Sequence, residues 1–144
     1  MSKLTARQAI QATARGAPVF GNDDVTLNDW SVLDAAGATD NAPFLVIIGS
    51  ERFSARWPSN IETTWEIITF LLEAWDIDWP TTLEAFLASR QALVDAFNSG
   101  SARAPSGEYY DIGEIRGDGP IVEHTAGDYT YLMQEITFVT EEIS

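Results

Sequence analysis

The sequence predicts an α+β fold: an antiparallel or mixed sheet of about four strands, with an N-terminal helix and one central amphipathic helix packed on it. Three observations predict it. Thr81 to Asn98 places apolar residues at Leu83, Phe86, Leu87, Leu93, Val94 and Phe97, the spacing of a helix with one buried face. The stretches on either side are rich in β-branched and aromatic residues and read as strands. The order is helix, long loop, strand, strand, helix, strand, strand, which suits a sheet with helices on one face.

Leu4 to Ala14 reads as the first helix. Thr5 with Gln8 offers a capping box, Gly16 a stop, and the packing face is made of small residues. Ala17 to Pro43 carries two glycines, two prolines and five aspartates and reads as a long surface loop, anchored by Trp30. Val25 to Leu33 within it suits a short strand or a helical turn. Phe44 to Ile48 is a continuous apolar run bounded by Pro43 and Gly49, as a buried strand would be, and polar–aromatic alternation continues it to Trp57.

Ile61 to Trp75 is a long strand, although Trp65, Ile68, Leu72 and Trp75 leave a helical reading open. As a strand it shows Trp65, Ile67, Thr69, Leu71 and Trp75 on one face and Ile68, Phe70 and Leu72 on the other. That suggests one face under a helix and the other against a loop or a neighbouring chain. Thr81 and Glu84 form a capping box for the central helix, with Pro80 just outside it. Arg90 falls on the apolar stripe and must snorkel out.

Ser99 to Gly107 is a flexible connection. Glu108 to Arg116 is a strand, Gly117 to Pro120 a turn, and Ile121 to His124 a short extended piece. The closing strand, Tyr129 to Ile143, puts Leu132, Ile136 and Phe138 on one face and Tyr129, Tyr131, Met133, Thr137 and Val139 on the other.

At 144 residues, with 45% hydrophobic and 21% charged side chains, the chain is sized for one domain with one core. It has no cysteine, which excludes disulfides, thiolate metal sites and cysteine nucleophiles. No run is long enough to span a membrane, and the N-terminus lacks the apolar core of a signal peptide. Twenty-two acids against eight bases give a net charge of −14. Such a surface repels the nucleic-acid backbone, which argues against binding DNA through a basic face. Solubility alone explains the charge; a DNA mimic, or the wall of a channel through which DNA slides, explains it more specifically.

Catalytic constellations are poor. His124 is the single histidine, so no histidine-based zinc site is available. Asp76 and Asp78, two apart before the central helix, suit a divalent cation or a small hydrolase, and equally suit solvated turn residues. No phosphate-binding glycine loop precedes a helix. The five tryptophans say more. Trp65, Trp75 and Trp79 bracket one strand and its exit, and Trp57 sits near Arg52 and Arg56. Core packing accounts for some of these, and a protein interface rich in Trp and Arg for others. Sugar stacking is a rarer use of the same residues.

A short N-terminal helix, two long strands, a helix and closing strands that end in the run Tyr129 to Val139 together resemble the tail-terminator (tail-completion) proteins of long-tailed bacteriophages. The resemblance covers most of the chain, through its element order and C-terminal strand; the long Ala17 to Pro43 segment departs from the compact pattern. It implies a virion protein of the tail or neck, assembled in the host cytoplasm as a homohexameric ring. The ring would cap the tail tube and join it to the head–tail connector or stopper. DNA would pass through without specific binding. The resemblance implies no catalytic residue, cofactor or metal. Arg52, Arg56, Trp57, Trp65, Trp75 and Trp79 are the candidates for contacts between copies or with partners. From Glu108 onward nine acids face Arg116 alone, which marks that region as a candidate for the channel wall or an outer face. The alternative is an acidic, DNA-mimicking inhibitor of a nuclease or restriction enzyme.

Overall fold

The computed structural model describes residues 3–17, 19–20, 24–30, 43–56, 62–98, 102–103, 109–126 and 129–143. The elements run α1 (Lys3–Arg15), β1 (Val25–Leu27), β2 (Phe44–Arg56), β3 (Glu62–Ala74), α2 (Trp79–Asn98), β4 (Ala102–Arg103), β5 (Tyr109–Ala126) and β6 (Tyr129–Ile143). The fold is α+β, as expected. The sheet has the order β1-β2-β3-β6-β5-β4. Leaving aside the two-residue β4, it has five strands rather than about four, because the short apolar piece at Val25 is recruited as an edge strand. β1 runs parallel to β2, and every other pairing is antiparallel. The helical alternative for β3 falls, since its backbone is paired with β2 on one side and β6 on the other.

β2 continues past Gly49 to Arg56, as the alternation predicts, through a bulge that sets Ile48, Gly49 and Ser50 opposite one residue of β3. One expected break is not a break: Gly117 to Pro120 is no turn but part of the 18-residue β5, bulged between Asp118 and Val122. Gly119 takes the positive φ of 78° that the bulge needs, and a proline is tolerated where ladder bonding lapses. A third bulge lies between Ile112 and Glu114. Bulges deepen the twist of long strands. The sheet curls accordingly, and α1 touches β1 at one end of the strand order and β4 at the other.

That placement of α1 follows from its small residues. Ala6, Ala9, Ile10 and Ala14 are all buried, so the helix backbone lies close against its neighbours. Its polar residues satisfy strand backbone that lacks a ladder partner. Gln11 Nε2 and Arg15 Nη2 donate to the Val25 carbonyl at 2.8 and 3.1 Å, and Arg7 Nε donates to the Ile48 carbonyl at 2.7 Å. Gly16 and Ala17 close the helix with bonds to the Thr13 and Ala14 carbonyls. The side chain of Thr5, half of the expected capping box, lies outside the described residues.

The sheet sorts its residues as the alternation required. Ile67, Leu71, Leu132, Ile136 and Phe138 face the helices and form the main core with Ile10, Phe86, Leu93 and Phe97. The other face carries a second cluster of Phe44, Val46, Leu72 and Tyr131, flanked by Phe70, Met133 and Trp30. Trp30 lies 5.5 Å from the Phe70 ring and 5.8 Å from His124, so it does pin its segment to the helix-free face. Residues 31–42 of that segment lie outside the described residues.

Candidate interaction surface

The β3–α2 junction is the least conventional part of the chain. The Asp78 N–H donates to the Asp76 carbonyl at 2.6 Å, closing a three-residue γ-turn around Ile77, whose φ is 58°. A β-branched side chain rarely takes a left-handed backbone, which costs on the order of 1–3 kcal/mol. The first turn of α2 holds the γ-turn in place. Thr82 Oγ1 accepts from the Asp76 N–H at 2.9 Å, and lies 2.8 Å from the Asp78 carbonyl and 3.0 Å from the Asp76 carbonyl, one of which takes its proton. Asp78 is the N-cap, its Oδ1 accepting from the Thr81 N–H at 2.9 Å. That bond holds the Asp78 carboxyl below its usual range. The Thr81–Glu84 capping box is therefore displaced by Asp78, and Pro80 lies inside the first helical turn, where no N–H is needed.

The turn leaves apolar surface in water. Ile77 is 84% exposed, and Trp79 and Leu87 are each 40% exposed. Trp75, half-buried against the main core, lies 6.4 Å from Trp79. Trp65 is half-buried against the same core. Of the interface candidates, Trp75 and Trp79 are thus brought together, and Trp65 stands apart in packing. Arg52 and Arg56 are placed by backbone register opposite Glu66 and Glu62, while their side chains, and all of Trp57, lie outside the described residues.

The buried stripe of α2 is narrower than its apolar pattern. Thr82, Phe86, Ser89, Leu93 and Phe97 are buried. Ser89, a polar residue within that stripe, donates from Oγ to Glu73 Oε2 at 3.1 Å. Glu73 belongs to the inward face of β3, and burial pushes its carboxyl up to about 7, with the Ser89 bond opposing. Beside this stripe a cleft of about 140 Å³ opens between α2 and β5, lined by Arg90, Gln91, Leu93, Val94, Ile115, Gly117 and Ile136. Arg90 is half-buried and, instead of snorkelling out, is held by the sheet: Nη1 donates to Oε1 of the buried Gln134 at 2.9 Å, and Gln134 Nε2 donates to the Gly119 carbonyl at 3.1 Å. Gly117 makes room for this arrangement, since a Cβ there would stand 3.0 Å from Gln134 Nε2.

On the opposite face, Arg116 bonds Glu66 and, through Nε, Asp118 Oδ1 at 2.9 Å. The two carboxylates hold the guanidinium above its ordinary range. His124 packs its ring 5.8 Å from that of Trp30, tilted by 46°. Among the described residues, no group of three or more acids and histidines is placed to hold a metal ion. No helix among them is long and apolar enough to cross a membrane.

Sequence reasoning missed Ile77, Glu73 and the Arg90 cleft. An isoleucine between two aspartates, and a glutamate in step with Ile67, Thr69 and Leu71, were the available signals. No known family model and no curated protein matches the chain.

Proposed function

We propose that this chain is a structural virion protein that resembles a phage tail terminator: a subunit that joins its own copies in a ring, expected to be a hexamer. The ring caps the tail tube and joins it to the head–tail connector, and its acidic bore lets DNA pass without holding it. The observation that carries the reading is apolar surface left over beside a closed core, at Ile77, Trp79 and Leu87. Large exposed apolar side chains around a Trp mark protein contacts rather than small-molecule chemistry. The net charge of −14 supports it, because a channel wall that repels phosphate lowers the friction on passing DNA. Deleting the gene tests it in the phage: tail tubes should grow to uncontrolled lengths, and normal tubes would count against the proposal.

The same charge favours a second reading, an acidic inhibitor that occupies the basic groove of a nuclease or restriction enzyme. Such a protein acts as a monomer or dimer, and immobilised chain would retrieve that enzyme from a host extract.

A further inference from the structure

We propose that Ile77 of one copy docks in the Arg90 cleft of a second copy, making a head-to-tail contact. The inference rests on the ring reading and deepens it by naming the surfaces that meet. Ile77 projects at 84% exposure from a γ-turn that an isoleucine does not favour, and the bonds of Thr82 and Asp78 fix that turn. The arrangement presents an aliphatic knob and does nothing for the core of its own chain. The cleft is the matching socket. Its walls are Leu93, Val94, Ile115 and Ile136, and its volume of about 140 Å³ admits one branched aliphatic side chain.

Charge fixes the occupant as a second copy and sets its register. The knob is flanked by Asp76 and Asp78, and the socket carries Arg90. In a chain of net charge −14, two copies repel except where an acid of one meets a base of the other. Asp78 is occupied as the helix cap, which leaves Asp76 to meet Arg90. Knob and socket lie about 20 Å apart along α2, by the rise of a helix. They are different surfaces, so a single contact leaves one knob and one socket unfilled; the ring reading takes the course in which these recruit further copies, and a reciprocal pair across a two-fold axis is the outcome in which cross-linking stops at the dimer. Trp79 and Leu87, exposed on α2, add apolar margin to the contact.

The absence of cysteine makes cross-linking specific. The full chain carrying I77C with V94C, oxidised in dilute solution, should give a ladder of disulfide-linked multimers, whereas either single variant should not. I77D and R90D should each reduce self-association at least tenfold by sedimentation velocity. Mixed together, they should form one heterodimer, because each keeps the half the other lacks. Ile77 is exposed and aspartate accepts a left-handed backbone more readily, so I77D should melt no lower than the parent, which separates lost docking from lost folding. Rings that survive both I77D and R90D, or I77C alone linking as readily as the pair, overturn this contact and leave the ring reading standing. A parent chain that never associates overturns both.

Discussion

The broad apolar pattern of α2 divides into two stripes with opposite fates. Phe86, Leu93 and Phe97 are 0, 0 and 8% exposed and form the floor of the main core. One position round the helix, Leu87 is 40% exposed, Leu83 is half-buried and Val94 lines the cleft, while Trp79, in line with Phe97 but at the first turn, is also 40% exposed. Sequence alone reads both as one face, because residues one apart differ by only about 100° around the axis. The difference shows that this helix is more apolar than its own sheet requires. The inner stripe stabilises the fold, and the outer one is available for another chain.

The largest expected effect breaks the inner stripe. Phe86→Ala leaves a cavity under α2 and should cost about 3–5 kcal/mol in denaturant unfolding. Self-association would then disappear only through unfolding.

Glu73 comes next, on β3 beneath that stripe, its carboxyl strongly raised by burial. Between its ordinary value of 4.5 and about 7, the folded state keeps a proton that the unfolded state releases. Its contribution is therefore fully present below 4.5 and lost as pH rises through 7. Thermal melts should show Glu73→Gln more stable than the parent at pH 8, by roughly 2 kcal/mol, with the gain shrinking towards pH 5. Equal differences at both pH values would mean that the carboxyl is not held protonated by burial.

Ile77→Gly sharpens the contrast by relieving the left-handed backbone. It should raise chemical stability by about 1 kcal/mol while weakening association, the pattern of a residue kept for contact and not for folding. Smallest is Leu87→Ser on the outer stripe, whose monomer stability should stay within about 0.5 kcal/mol of the parent. Its effect should appear only in the association constant.

Much of this architecture was legible because periodicity and alternation are direct consequences of backbone geometry. The facing of β3 and β6 followed from a period of two, and α2 from its apolar spacing. What escaped depends on tertiary context. Gly117 to Pro120 has the composition of a turn, yet pairing with β6 draws it into a bulged strand. Asp78 has the composition of a loop residue, yet it caps α2 and displaces the Thr81 box. Ser89 puts a hydroxyl in the buried stripe, outside any apolar pattern, and the buried Glu73 gives that polarity a partner. Among the described tryptophans, Trp75 and Trp79 meet at the candidate surface, while Trp65 packs on the core. The isoleucine beside that pair was not legible, because its exposure comes from a γ-turn that no propensity announces.

The most direct test is the mass of the purified chain under native conditions across a concentration series. A ring subunit should give a closed homo-oligomer, six copies by the resemblance, that forms with the intact outer stripe and is lost in I77D. A particle that stays at 15.8 kDa at every concentration, with or without tail tubes, would contradict it.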